Sequence, residues 1–205
     1  MNINWKKWFK YVGVILFTFH FSLFISSCSE EDDTVEEFAD WQAKNEIYFE
    51  QQYQEHIAAQ TATKFVLKDW SQPGNLSLSE VEHTNCILVD VISSGEGTTS
   101  PLFTDEVAVH YTGSLIPSPN YPNGYKFDYS YMGDFDSSVA HSTELSVDGV
   151  VSGFSTALQH MHCGDHWRVT IPYQLGYGSS TSSSVPAYST LIFDIRLENF
   201  WTEDE

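Results

Sequence analysis

The stretch VHYTG (residues 109–113) is followed in order by KFDYS (126–130), GVVSGF (149–154) and YGSS…VPAYSTLIFDI (177–195). These four motifs supply aromatic rings, branched aliphatic side chains and a carboxylate. None of them places a nucleophile beside a base, and none has the pattern of a phosphate-binding loop or of a set of metal ligands. Such a set favours an apolar pocket that binds a hydrophobic segment and changes its conformation without breaking covalent bonds.

Apolar and polar residues alternate in several segments around these motifs. Strands are predicted at residues 87–92, 107–111, 167–171 and 190–197. A helix is predicted at 152–161, and Gly164 follows it as a residue that favours the end of a helix. Several antiparallel strands around a single helix predict an α+β domain, to which we assign residues 86–205.

A second helical pattern precedes this domain. Residues 34–60 contain no proline or glycine, and Phe38, Trp41 and Asn45 fall on one face of a helix. An isolated helix of this size needs a partner surface. Two roles therefore stay open: the helix packs on the domain that follows, or it forms a homodimer with a second copy.

A connector joins this helix to the domain. Residues 61–80 contain a short apolar strand at 65–67 and a turn at 70–74 with the sequence WSQPG. Together with the acidic run after Cys28, the helix and the connector fill residues 28–85.

The first 27 residues are predicted to be a signal peptide. Three lysines give a basic start, and residues 11–25 then run without a charge. A membrane span needs roughly 20 apolar residues, so this run is typical of a signal-peptide core instead. The string ISSC (25–28) resembles the lipobox of bacterial lipoproteins, which implies that Cys28 is lipidated. The alternative is an ordinary secretory signal with an incidental cysteine, or an uncleaved anchor.

The acidic run SEEDD (29–33) follows Cys28 directly. It is either a solvated tether that holds the domain off the bilayer, or, by resemblance to Bacteroidota-type lipoproteins, an export signal to the outer face. These N-terminal features predict a bacterial membrane lipoprotein of the outer membrane. Whether it faces the periplasm or the cell surface stays open.

The charge balance narrows the choice of partners. All 28 Asp and Glu residues follow Cys28, whereas only six of the nine Lys and Arg residues do, which leaves a net charge of −22 after that point. Nucleic acid is excluded as a partner because phosphate contacts need Lys and Arg. Anionic lipid headgroups are excluded for the same reason, so the N-terminal lipid would anchor the protein in the membrane.

Two cysteines remain beyond the lipidation site. An exported compartment would permit a disulfide between Cys86 and Cys163, but two cysteines do not form a disulfide framework. Two free thiols are an equally good interpretation, and the choice stays open.

The motifs together resemble the FKBP family of peptidyl-prolyl cis–trans isomerases. The resemblance runs from about residue 87 to residue 200, and it includes the helix end A-L-x-x-M-x-x-G (157–164) and the pair V-P (185–186) in the correct order. It implies a half-barrel antiparallel sheet wrapped around one short helix. It also implies an isomerase that acts on proline-containing polypeptides and needs no cofactor and no metal.

The resemblance assigns roles to individual pocket residues. Tyr111 forms one wall, and Phe154 forms the floor at a position where the family usually has tryptophan. The backbone of the pair Val150 and Val151 receives a bound carbonyl, and the hydroxyl group of Tyr177 donates a hydrogen bond to the ligand. The full set implied is Tyr111, Phe127, Asp128, Val150, Val151, Phe154, Tyr177, Val185 (an aliphatic rim residue) and Phe193.

Two Phe-Asp pairs compete for the pocket carboxylate. The pair Phe127-Asp128 reproduces the family's spacing from a preceding glycine, whereas Phe135-Asp136 has the better literal match to FDSS. Asp136 lies 14 residues before Val150, which is shorter than usual, and Asp128 lies 22 residues before it, which is slightly longer than usual. We predict that Asp128 is the pocket carboxylate and that the other pair belongs to an inserted loop.

Two other functions are weighed against an isomerase that assists the folding of exported proteins. Phe154 and the serine-rich stretch 179–184 leave room for a non-catalytic FKBP-like binding module. The string QHMHCGDHW (159–167) holds four metal-ligand types, which would suit zinc or copper. Because this string spans a helix end and a strand start, its side chains are expected to point in several directions, and no metal site is predicted.

Overall fold

The computed structural model describes residues 36–202. The predicted signal peptide (1–27), Cys28 and the acidic run (29–33) lie outside the described residues. The helices are α1 (Trp41–Ala58) and α2 (Ser152–Leu158). The strands are β1 (Lys64–Lys68), β2 (Cys86–Ser93), β3 (Asp105–Leu115), β4 (Lys126–Tyr129), β5 (Thr143–Ser146), β6 (His166–Ile171) and β7 (Leu191–Thr202). Neither helix combines the length and the apolar character needed to cross a bilayer within residues 36–202.

All seven strands form one antiparallel sheet. The strand order is β1-β2-β6-β7-β3-β4, and β5 also pairs with β3. β4 pairs with residues 112–114 of β3, and β5 pairs with residues 106–109 on the same edge of β3. Residues 130–142 form the loop between these two short strands. This open sheet with its short helix confirms the predicted α+β half-barrel.

The concave face of the sheet is apolar because its strands alternate with a period of two. In β7, Leu191, Phe193 and Ile195 are buried, while Asp194 and Arg196 point to the other face. α2 packs on the concave face through a row of side chains that are at most 3% exposed: Phe154, Ala157 and Leu158. The core therefore lies between the sheet and α2.

The N-terminal helix α1 packs on its own domain. Trp41 Nε1 donates a hydrogen bond to Ser189 Oγ at 2.8 Å, and the N–H of Thr190 donates to Asn45 Oδ1 at 2.7 Å. Farther along, Phe49 joins a second buried cluster with Leu88 on the opposite side of the sheet. The first of the two roles considered for this helix is therefore the one observed.

Three local differences separate the prediction from the structure. α1 begins at Trp41 rather than at residue 34, because Asp40 adopts a left-handed conformation with φ 53°. α2 ends at Leu158 rather than at residue 161, because the N–H of His160 bonds to the carbonyl of Ala157 and tightens the last turn. The short strands β4 and β5 were not predicted, since four residues give too short a pattern of alternation.

The two cysteines of the domain are free thiols. Cys86 is fully buried on β2, and Cys163 lies in the turn between α2 and β6. Burial raises the pKa of the Cys86 thiol to about 11, so it stays protonated at neutral pH. The disulfide that the sequence left open is not present.

The close approach of α2 to the sheet gives a test of this packing. A Cβ atom at Gly153 would lie 2.4 Å from Cγ2 of Ile171, whereas a Cβ atom at Gly74 would meet nothing within 4 Å. We expect Gly153→Ala to lower the free energy of unfolding by roughly 1–3 kcal/mol, the cost of overpacking a core. Gly74→Ala is the matched control and should change it little. Urea denaturation of both variants checks this, and equal stability of the two would contradict the packing described.

Candidate active site

Four aromatic rings converge at one end of the core. Phe193 on β7 contacts the other three: its ring centroid lies 5.0 Å from that of Phe154 on α2, 5.6 Å from that of Phe127 on β4 and 6.3 Å from that of Tyr111 on β3. The Phe154–Phe193 and Phe127–Phe193 pairs are nearly perpendicular, which is a favourable edge-to-face arrangement. The rings form an aromatic cup, and we use this name for the four residues below.

Gly113 makes room for the aromatic cup. It lies opposite Phe193 in the β3–β7 ladder, on the same face of β3 as Tyr111. A Cβ atom at this position would lie 2.6 Å from Cε1 of Phe193 and 2.7 Å from Cζ of Phe127. Glycine is therefore required here, and this explains the last residue of the VHYTG motif, for which the sequence alone indicated no role.

Ser130 is a second residue whose role the sequence did not indicate. The N–H of Tyr111 donates to Ser130 Oγ at 2.8 Å, and the N–H of Ser130 donates to the carbonyl oxygen of Tyr111 at 2.9 Å. Ser130 directly follows β4, and its two hydrogen bonds fix the backbone of Tyr111 on β3. The last residue of the KFDYS motif thus positions the tyrosine of the neighbouring motif.

A carboxylate and two phenols meet at the edge of the cup. The hydroxyl group of Tyr111 donates a hydrogen bond to Asp128 Oδ2 at 3.0 Å. Burial is the main cause that raises the pKa of Tyr111 far above its ordinary value, followed by the hydrogen bond to Asp128 and by the charge of that carboxylate. Burial and the charge of Asp128 also raise the pKa of Tyr177, a residue that is 37% exposed. Both phenols are therefore neutral hydrogen-bond donors over the physiological pH range.

The competing carboxylate lies elsewhere. Asp136 accepts hydrogen bonds from the N–H (2.9 Å) and the hydroxyl group (2.7 Å) of Ser138 within its own exposed turn. Its neighbour Phe135 packs under the guanidinium group of Arg196, 4.3 Å from the ring centroid, on the face of β7 opposite to the cup. Of the two aspartates, only Asp128 lies beside the aromatic cup.

The start of α2 presents a backbone donor next to Phe154. Val150 and Val151 are partly buried against the core, and Val151 is the residue that precedes the first turn. Its carbonyl oxygen accepts from the N–H groups of Phe154 and Ser155 at 2.9 and 3.0 Å. Its own N–H donates to no acceptor within residues 36–202.

Val185 lies deeper than a rim position implies. Its side chain is 3% exposed and belongs to the same buried cluster as Phe154 and Phe193. Two reciprocal backbone hydrogen bonds with Ser182, at 2.8 and 3.0 Å, close a tight turn over residues 182–185, at the end of the serine-rich stretch 179–184. This turn places Val185 in the core.

The histidine-rich string does not converge on one point. It contains His160, His162, Cys163 and His166. His160 Nδ1 lies 2.8 Å from the carbonyl oxygen of Thr156, whereas His166 Nε2 lies 3.1 Å from Asp194 Oδ1 on the outer face of the sheet. Within the described part of the chain, no group of three or more His, Cys, Asp or Glu side chains is placed to hold a metal ion.

Known proteins are similar to this chain in sequence. A sequence profile described as FKBP-type peptidyl-prolyl cis-trans isomerase matches residues 97–198. The FK506-binding protein 1 of Saccharomyces cerevisiae is 35% identical over 121 residues, which cover 58% of this chain and 96% of that protein. The chain belongs to the FKBP-type peptidyl-prolyl cis-trans isomerase family. The FKBP-type 22 kDa peptidyl-prolyl cis-trans isomerase of Escherichia coli is 41% identical over 110 residues, or 52% of this chain, and the chain spans 46% of that relative's length.

Solved structures support the FKBP fold. The crystal structure of FkpA from Escherichia coli superposes with a TM-score of 0.56 at 24% identity, covering 80% of this chain and 63% of that one. A peptidyl-prolyl cis-trans isomerase from Pseudomonas syringae gives a TM-score of 0.54 at 21% identity, covering 82% and 98%. The family and the fold that the sequence motifs indicated are both confirmed.

The contact between Tyr111 and Asp128 gives a test of the electrostatics of this site. We expect Asp128→Asn to lower the pKa of Tyr111, because the negative charge that disfavours the phenolate is removed. The pKa should stay above the ordinary value of about 10, since burial, the larger cause, remains. Asp136→Asn is the matched control and should leave it unchanged. A pH titration of the tyrosine Cζ resonances by NMR measures this, and an unshifted Tyr111 in Asp128→Asn would refute the contact.

Proposed function

We propose that the chain is a peptidyl-prolyl cis–trans isomerase that acts on proline-containing segments of exported polypeptides. The observation that carries this proposal is the aromatic cup with hydrogen-bond donors at its edge, formed by residues of five different elements or loops in an FKBP fold. The catalytic residues of the proposal are Tyr111, Phe127, Asp128, Val150, Val151, Phe154, Tyr177, Val185 and Phe193.

The cup would act on the planar amide by removing water from it. Rotation about a peptide bond crosses a barrier of about 18–20 kcal/mol because the partial double bond is lost. Water stabilises the planar, charge-separated amide more than the twisted one. When the proline ring is bound between Phe127, Phe154 and Phe193, its amide loses contact with water. This loss penalises the planar ground state relative to the twisted state.

The donors at the edge of the cup would hold the neighbouring backbone. The N–H of Val151, which has no internal acceptor among the described residues, can donate a hydrogen bond to a carbonyl oxygen of the bound segment. The hydroxyl group of Tyr177 can bind a second one. These contacts accelerate rotation only where they bind the twisted segment more tightly than the planar one. The proposal needs no covalent intermediate and no cofactor.

Isomerisation of a short X-Pro peptide tests the proposed activity. The chain from residue 29 onward should accelerate isomerisation, and Asp128→Asn should lower kcat/KM by about tenfold, the effect of weakening the charge-assisted hydrogen bond from Tyr111 by about 1.4 kcal/mol. Asp136→Asn is the matched control and should retain full activity. Tyr177→Phe should also lower kcat/KM, because it removes the hydroxyl group that donates to the bound segment and keeps the ring.

The outcomes of this experiment separate the two candidate functions. Folded protein that does not accelerate isomerisation would exclude the enzyme and leave a non-catalytic binding module. Activity that falls equally in Asp128→Asn and Asp136→Asn would place the effect outside the aromatic cup. Urea denaturation of the same variants distinguishes a lost donor from a lost fold.

We further propose that the protein is a bacterial lipoprotein anchored through acylated Cys28 in the outer membrane. The support is the basic start, the uncharged run of residues 11–25 and the lipobox-like ISSC. A homodimer is also part of the proposal. Its contact would form on the outer side of α1, where Ile47 is 58% exposed.

Metabolic labelling with an alkyne fatty acid in a bacterial host tests the anchor. We expect the wild-type chain and Cys163→Ala to carry the label, and Cys28→Ala to lose it together with membrane retention. Cys163→Ala is the matched control because it removes a thiol of the folded domain. Label on Cys28→Ala, or none on the wild type, would exclude the lipoprotein assignment.

A further inference from the structure

A buried carboxylate outside the segment matched by the family profile contacts the start of α2. Asp69 directly follows β1 in the connector and is 2% exposed. Its Oδ1 atom accepts hydrogen bonds from the N–H (3.1 Å) and the hydroxyl group (2.5 Å) of Ser71. Its Oδ2 atom accepts from the hydroxyl groups of Ser152 (2.6 Å) and Thr156 (2.9 Å) on α2.

These contacts tie one face of α2 to the connector. Ser152 and Thr156 are four residues apart, so their side chains lie above one another on the same face of the helix. The N–H of Trp70 adds a hydrogen bond to Thr156 Oγ1 at 3.1 Å. Phe154, two residues after Ser152, points from the other face into the aromatic cup.

α2 cannot set its own position. A helix of seven residues is too short to be stable alone, and Val151 provides no side-chain hydrogen bond to cap it. Its first turn must therefore be held by contacts from outside. Asp69 supplies such contacts at Ser152, which directly follows Val151. The proposed function assigns the N–H of Val151 to substrate binding.

We propose that Asp69 is a positioning residue of the active site, which holds the first turn of α2 so that the Val151 N–H and the Phe154 ring face the bound proline segment. This inference rests on the proposed isomerase function. Asp69 acts through α2 and does not touch the substrate.

The chemistry at this position favours a carboxylate. Hydrogen bonds from hydroxyl groups to an ionised carboxylate are shorter and stronger than those to a neutral amide. Asn at position 69 would keep one acceptor oxygen, and Ala would leave the hydroxyl groups of the partly buried Ser152 and the buried Thr156 without this partner. The expected order of activity is Asp69, then Asp69→Asn, then Asp69→Ala.

Kinetics and amide exchange together test the proposal. Asp69→Ala should lower kcat/KM for an X-Pro peptide by about tenfold. It should also speed hydrogen exchange at the amides of Phe154 and Ser155, which bond to the Val151 carbonyl oxygen, by at least about tenfold relative to amides of β7. Asp69→Asn should restore part of both. Ser152→Ala removes the same contact from the helix side and should reproduce the direction of both changes, which keeps the test available if Asp69→Ala does not fold.

Asp105→Ala is the matched control. Asp105 is also 2% exposed, and it accepts hydrogen bonds from the N–H of Leu102 and the hydroxyl group of Thr202, away from α2. It should lower stability without changing kcat/KM or exchange at Phe154 and Ser155. An equal loss of activity in Asp105→Ala, or unchanged kinetics and exchange in Asp69→Ala, would overturn the inference. If the wild type has no isomerase activity, the proposed function fails, and the exchange result alone decides whether Asp69 holds α2.

Discussion

The antiparallel pairing of β3 with β7 determines both the core and the aromatic cup. The two strands pair from Asp105 to Leu115, and their register places Gly113 opposite Phe193. Toward the start of β3, Val107 and Val109 are fully buried in the core, and farther along the same face Tyr111 is part of the cup. A slip of one residue would turn this whole face to the outer side of the sheet, so core and cup share a single register.

The second requirement is that α2 approaches the sheet closely. Gly153 allows this approach, because any side chain there would meet Ile171. The helix brings Phe154 against Phe193, and it begins directly after Val151, whose N–H is part of the proposed site. Since so short a helix gains little from its own hydrogen bonds, the contacts on its two faces decide where it lies. The pocket therefore depends on residues of the connector as well as on the residues that line it.

The sequence predicted the parts of this structure that depend on local pattern. Apolar residues, continuous in β2 and alternating in the others, identified β2, β3, β6 and β7, each of which is at least six residues long. The short edge strands β4 and β5 gave no such pattern, and they exist because β3 offers them an edge to pair with. Motif spacing favoured Asp128 over Asp136, but the reason is tertiary: Asp128 reaches Tyr111 across the β3–β4 pair, whereas Asp136 binds its own turn.

Long-range polar contacts were beyond the reach of sequence patterns. The hydrogen bonds of Asp69 join residues 83 and 87 positions apart, and no motif marks them. The same is true of Asn45, whose side chain bonds to the N–H of Thr190 at the start of β7. A helical pattern placed Asn45 on the packed face of α1. Only the folded chain shows that its side chain forms a hydrogen bond to Thr190 from this face.

The electrostatic character of the cup suits the rotation of an amide. The planar amide carries partial negative charge on its oxygen, and this charge decreases as the bond twists. A lysine or arginine at the oxygen would stabilise the planar form and raise the barrier. The nine residues of the proposed site include no such cation; its charged member is Asp128, and its side-chain donors are phenols that burial and Asp128 keep protonated. Neutral donors can orient a bound backbone without stabilising the planar form strongly, so the twisted state benefits more from leaving water than the planar state does.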